Sequence, residues 1–391
     1  MRSPSDVADH PDAPEAGAGR PAAERARMSR RGDLVTVLLA TWLIAGLFID
    51  GWAHNTRPRL ETFFTPWHAA FYSGFAAVAA WMCWSVWTRR RLAGSWREAV
   101  PAGYGLGLAG LAVFLVSGAG DMSWHIAFGI ERDIDALLSP THLGLFTGAF
   151  LIVTTPLRSA WADPDTGRRV SFGAVLPALL SLTLAGSLAA FMFQYLHPIV
   201  EDFVSIGREE FYRQGFTVFQ YHDVHQLAIQ AGVPGFMLSS AFLFGPLLFL
   251  LRRWNPPAGS ALLVIGVQSL MLQLMTGLQN AGLAAVALIG AVAIEALLAV
   301  LRPAPASRWR VRSFCALAPV VFWGVYLGGI ALHDGGLGWN AEDWGGAVVW
   351  SALTMLALAM LMFPPAVPAR RPSTGAAAEA QPPVTRSQIS T

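Results

Sequence analysis

The chain has 391 residues, 54% of them hydrophobic and only 13% charged, with a formal net charge of +2. Soluble domains carry about 25% charged residues, so this composition excludes an ordinary soluble globule and points to a lipid bilayer as the partner; the formal charge itself says little about partners, and no nucleic acid is expected. The two cysteines, Cys83 and Cys315, fall inside apolar stretches and suit neither a disulfide framework nor a zinc knuckle.

Residues 1–31 are rich in Ala, Pro, Arg and Asp and read as a disordered tail. The polar start is too long for a cleavable signal peptide and lacks its short apolar core. Residues 32–363 read as a transmembrane bundle and 364–391 as a second disordered tail. Within the bundle, hydropathy gives about ten spans of bilayer-crossing length. They run 33–54, 66–88, 101–125, 140–160, 171–197, 226–251, 259–278, 280–301, 312–333 and 345–363. A lipid-embedded backbone must satisfy its own hydrogen bonds, so the expected fold class is all-α, a polytopic transmembrane helix bundle.

Orientation follows from arginine, because the 27 basic residues include no Lys. One set of connections holds Arg89 to Arg91, Arg97, Arg158, Arg168, Arg169, Arg252, Arg253, Arg302, Arg308, Arg310 and Arg312. The opposite set holds only Arg57, Arg59, Arg132, Arg208 and Arg213. The positive-inside rule then makes both termini cytoplasmic in a multi-pass plasma-membrane protein. Every histidine except His10 falls at the outer ends of the spans, together with most of the acidic residues, which makes an anionic face that attracts cations.

The first two spans enclose Asp50-Gly-Trp-Ala-His54 and Thr65-Pro66-Trp67-His68. Asp50 and His54 share one helix face, and His68 follows a hydroxyl-Pro step that opens the next helix. The pattern recurs in the next pair as Asp121-Met-Ser-Trp-His125 and Ser139-Pro140-Thr141-His142. Asp50 and His54 map to Asp121 and His125 at an offset of 71, and Glu61, Thr65, Pro66 and His68 to Asp135, Ser139, Pro140 and His142 at an offset of 74. This reads as an internal duplication of an N-terminal helical hairpin, 32–90 and 101–160. Two imidazoles and a carboxylate converging at one depth form a metal set with open positions. Imidazole with carboxylate suits copper(II), iron(II) or zinc. Glu61, Asp133 and Asp135 are candidate acceptors for the outward N–H of the ligand imidazoles.

Further along, His197, His222, His225 and His333 read as structural rather than ligating. The connection from 198 to 225 is a candidate lid, and Gln268, Gln273, Gln279 and Asn280 read as amides joining helices. Glu295 is an intramembrane acid, a functional candidate by position and equally a structural one.

The stretch Asp121-x-x-Trp124-His125, Arg132-Asp133-x-Asp135, Ser139-Pro140-Thr141-His142 resembles the metal motif in the C subunit of the copper-dependent membrane monooxygenases, the particulate methane and ammonia monooxygenases. The resemblance spans 20 to 30 residues in each copy. It implies copper on Asp121, His125 and His142 and a parallel site on Asp50, His54 and His68. It also implies a monooxygenase-like oxidoreductase acting on a small apolar substrate, in the company of partner membrane subunits or further copies of the chain. The sequence departs from that family in carrying Asp in both sets, where the family's second set has Asn, and in having more spans than the family's C subunit. The residues alone leave two alternatives open: a permease that takes up or handles metal ions, and a membrane hydrolase with zinc-activated water.

Overall fold

The computed structural model describes residues 27–57, 64–129, 133–201, 203–205, 218–279 and 281–364; the side chains of 133 and 218–224 are outside that description. Among the described residues the regular structure is helical apart from two isolated bridges. The helices are α1 (Arg30–Thr56), α2 (Pro66–Arg90), α3 (Trp96–Ala99), α4 (Gly105–Phe128), α5 (Asp133–Leu138), α6 (Pro140–Val153) and α7 (Thr155–Trp161). They continue with α8 (Phe172–Met192), α9 (Pro198–Glu201), α10 (Val218–Arg253), α11 (Ser260–Met275), α12 (Ala281–Leu301), α13 (Arg308–Asp334) and α14 (Ala341–Met362). This is an all-α polytopic bundle, in which nine spans among the described residues are long and apolar enough to cross a membrane.

Of the expected boundaries that shift, three have a local cause. Helix α1 begins at Arg30, ahead of the expected bundle start at 32, because the Ser29 hydroxyl caps Gly32 N–H and Met28 is buried. The fourth span breaks at Thr154 into α6 and α7, since Pro156 has no N–H to offer the carbonyl four residues back. The seventh expected span, 259–278, is the 16-residue α11, about 24 Å of helix against a hydrocarbon core of about 30 Å. It ends at Thr276, where the chain turns through left-handed Gly277 and Leu278.

Helix α8 is the central pillar, buried along most of its length. It meets α1, α6, α7, α10 and α11. Helices α1 and α2 pair as one hairpin, α4 and α6 as another, while α10 to α14 form the second half.

The two hairpins cross at matching residues. A Cβ on Gly74 would lie 2.6 Å from the Leu43 Cα, and one on Gly148 would lie 2.8 Å from the Phe114 Cα. A Cβ on Gly46 would lie 2.9 Å from the Ala70 carbonyl oxygen, and one on Gly144 would fall on the Ser117 side chain. These pairs stand at the same offsets, 71 on the first helix and 74 on the second, that relate the Asp and His residues. Missing side chains let the helices approach backbone to backbone, the usual route to close packing where no hydrophobic force acts between helices.

At the arginine-rich end, Arg27 Nη1 is 2.7 Å from Asp163 Oδ1, Arg89 donates to the Arg27 carbonyl at 3.0 Å, and Arg253 donates to the Asp163 carbonyl at 2.6 Å. The start of α1 and the ends of α2, α7 and α10 therefore share one end of the bundle. Near that end the buried Asp33 accepts from the Tyr104 hydroxyl at 2.8 Å and the Ser159 hydroxyl at 2.9 Å.

Glu295 is spent on structure. Its carboxylate accepts the backbone N–H groups of Gly259 and Ala261, both at 2.8 Å, and of Leu262 at 3.2 Å. Those are orphan donors of the first turn of α11, whose cap residue Gly259 supplies no side chain. Replacing Glu295 by Ala will strand these donors at a cost of about 1–3 kcal/mol. A lower melting temperature with unchanged metal content is the expected result. An unchanged melting temperature would refute the capping role.

Candidate metal centre

The six ligands expected from the sequence gather at the end of the bundle opposite the arginine-rich one. Asp50 and His54 occupy the last turns of α1, and Asp121 and His125 those of α4. His68 and His142 lie in the first turns of α2 and α6. In each hairpin the returning helix starts the same way. The Thr65 hydroxyl caps the His68 N–H at 3.1 Å, and the Ser139 hydroxyl caps the His142 N–H at 3.4 Å, with proline at the first helical position in both.

The cap hydroxyls also fix the rings. Thr65 Oγ1 lies 3.1 Å from His68 Nδ1, and Ser139 Oγ lies 2.7 Å from His142 Nδ1. His125 Nδ1 faces the Gly129 carbonyl at 3.2 Å. A carbonyl only accepts, so in the neutral ring Nδ1 carries the proton and Nε2 keeps the lone pair. All four Nε2 atoms face carboxylates. His54 and His68 lie 3.7 and 3.5 Å from Asp50 Oδ2; His125 and His142 lie 3.5 and 3.2 Å from Asp121 Oδ1.

Each triad has one ligand atom per residue, all within 4.8 Å of one another. Two donors bound to one cation at about 2.1 Å and a tetrahedral angle stand roughly 3.4 Å apart. The observed separations of 3.2 to 3.7 Å match that figure. Asp50 Oδ1 is buried and accepts no hydrogen bond among the described residues. A buried carboxylate oxygen without a donor is costly, and a cation is one way to offset it. The donor set therefore fits a metal ion in either triad.

The triads adjoin. The His68 and His125 rings are 6.3 Å apart, and all six residues line one cavity of about 610 Å³. Leu47, Phe71, Leu145, Phe146, Leu188 and Phe191 give it largely apolar walls, with Arg57 and Glu201 among its polar ones.

Other residues singled out by the sequence fall elsewhere. Asp135 is exposed, and the outward nitrogens of His68, His142 and His125 meet the Thr65 hydroxyl, the Ser139 hydroxyl and the Gly129 carbonyl. Glu61, and the side chains of Asp133 and His222, lie outside the described residues. His197 is buried outside the cavity, accepts the Ile199 N–H on Nδ1 at 3.3 Å, and is pushed by burial down to about 3, a neutral structural group. His225 lies 3.8 Å from Asp343, and His333 is exposed.

Two polar contacts at the site escape sequence reasoning. The Tyr72 hydroxyl donates to Asp121 Oδ2 at 3.3 Å and the Thr141 hydroxyl to Asp121 Oδ1 at 3.2 Å. Tyr72 reaches from one hairpin into the other, a contact that no local spacing announces.

No family model, curated protein or solved structure matches the chain.

Proposed function

We propose that this multi-pass membrane protein is a metalloprotein that holds copper in its two Asp-His-His triads and acts as a monooxygenase-like oxidoreductase on a small apolar substrate. One observation carries the reading: two triads with metal-ligand separations open into a single cavity whose walls are mainly apolar. Iron and zinc suit the same donors, and the resemblance of both motifs to the C subunit of the copper membrane monooxygenases favours copper. Copper in a triad would supply one-electron and O2 chemistry. The chain's own residues do the rest. Nε2 atoms aimed inward hold the ion, cap hydroxyls keep the rings from rotating, and Leu47, Phe146 and Phe191 receive an apolar molecule beside it.

A permease would need a relay of ligands toward the far end of the bundle. Toward that end, Asp33 in α1 and Glu295 in α12 are the acids carried within described spans, and both are committed to hydrogen bonds inside the protein. That commitment favours the enzyme over metal transport.

The proposal places the cavity on the outer face of the plasma membrane, with both termini inside. In a Cys83→Ser background, a cysteine at the exposed Asp135 is expected to react with an impermeant reagent from outside, and a reporter fused after Thr391 to read cytoplasmic. The reverse pattern would turn the cavity inward and remove the extracytoplasmic reading. Elemental analysis with a spin-resonance spectrum of protein purified without chelators is expected to show copper with nitrogen ligation. Zinc alone would replace the oxidoreductase by a hydrolase.

A further inference from the structure

The two triads are built alike from their ligands but differently around them. Asp121 accepts hydroxyl protons from Tyr72 at 3.3 Å and Thr141 at 3.2 Å. Asp50 Oδ1 accepts none among the described residues. The offsets that relate the hairpins explain the difference residue by residue. Tyr72 corresponds to Phe146 and Thr141 to Trp67, so both hydroxyls that hold Asp121 are replaced by groups with no hydroxyl at the matching places. Gly118 corresponds to Leu47. A Cβ on Gly118 would lie 2.9 Å from Tyr72 Cε1, so the missing side chain is the slot through which the tyrosine reaches α4. Leu47 fills that slot in the other hairpin, and Leu47 and Phe146 line the cavity.

From this we infer that the triads hold metal unequally. Asp121, His125 and His142 form the tight, resident site, and Asp50, His54 and His68 form the exchangeable one. Tyr72 and Thr141 are the positioning residues that set the difference. The inference rests on the metal reading above. Hydrogen bonds to a ligating carboxylate fix its rotamer before the ion arrives, and losing such a partner costs typically 10–100-fold in metal affinity. Asp50 must instead be ordered by the ion itself, which subtracts from the binding energy. Burial runs the same way for the carboxylates: the Asp121 side chain is 2% exposed and that of Asp50 12%.

The test is a titration of metal-stripped full-length protein in lipid nanodiscs with Cu2+, buffered by a chelator of known affinity and read by spin resonance. Two binding phases are expected. His142→Ala should remove the tight phase and His54→Ala the weak one. Tyr72→Phe should weaken the tight phase by about 10–100-fold and leave the weak phase in place. Phe146→Tyr should strengthen the weak phase, a gain that no misfolded protein would give. Two equal ions in the wild-type protein, or a tight phase unmoved by Tyr72→Phe, would overturn the inequality while leaving the metal reading standing. A wild-type protein that takes up no Cu2+ would overturn both.

Discussion

Replacing His125 by Ala is expected to remove the ion held with Asp121 and His142 while leaving the Asp50 triad loaded, so bound metal falls by about half. The size of the effect follows from geometry. His125 Nε2 stands 3.5 Å from Asp121 Oδ1 with its other nitrogen set on the Gly129 carbonyl, so its removal takes away one of the triad's three ligands. Losing a hydrogen-bond partner of a ligand costs 10–100-fold in affinity, and losing a ligand outright costs more. Oxidase or oxygenase turnover should be lost along with the ion. Membrane insertion should not change, because it is set by the apolar length of α4, and the substitution removes a polar group from its end. His333→Ala is the control: that residue is exposed and outside the cavity, and its replacement should leave metal and activity unchanged. Metal content unchanged in the His125→Ala protein would remove the basis of the proposed function.

The triads are legible in the sequence because each element rests on local rules. Asp and His four apart must share a helix face, and a hydroxyl-Pro-x-His step must start a helix with its His in the first turn. Three-dimensional proximity needs only that the two helices of each hairpin pair, as short connections favour. What local rules do not encode stays hidden. Tyr72 acts across hairpins, so its role depends on how α2 meets α4 and on the slot at Gly118. The acids are singled out by chemistry, and of them Asp135 is exposed while the side chain of Asp133 lies outside the described residues. The ring of His142 also meets Ser139, whose capping role is visible in the sequence but whose second contact, to Nδ1, is not. Glu295 shows the same limit from the other side. Its partners are backbone groups of Gly259, Ala261 and Leu262 on another helix, so nothing within the apolar run of α12 distinguishes a capping acid from a functional one. Hydropathy locates the spans but not the length of α11, because 259–278 stays apolar through the turn that ends the helix at Thr276.

Gly148→Ala is expected to lower the melting temperature and to empty the Asp121 triad, although no ligand is touched. The added Cβ would lie 2.7 Å from the Phe114 amide nitrogen and 2.8 Å from its Cα, distances that real Cβ atoms essentially never show. The obstruction includes backbone, so no rotamer change relieves it, and α4 and α6 must move apart. Overpacking of this kind costs about 1–3 kcal/mol or more. The crossing is six residues from His142, about 9 Å along the helix, so the displacement carries into the triad, whose separations leave little slack. Gly74→Ala should do the same to the Asp50 triad, since its Cβ would lie 2.6 Å from the Leu43 Cα and the same reasoning applies to His68. Each substitution should thus spare the other hairpin's ion. Gly345→Ala and Gly346→Ala calibrate the experiment: a Cβ at either place meets nothing within 4 Å, and alanine is the better helix former by about 1 kcal/mol. Those two variants should melt no lower than the parent. If Gly148→Ala melted with them and kept its metal, the two crossings would not be what holds the ligands of each hairpin together.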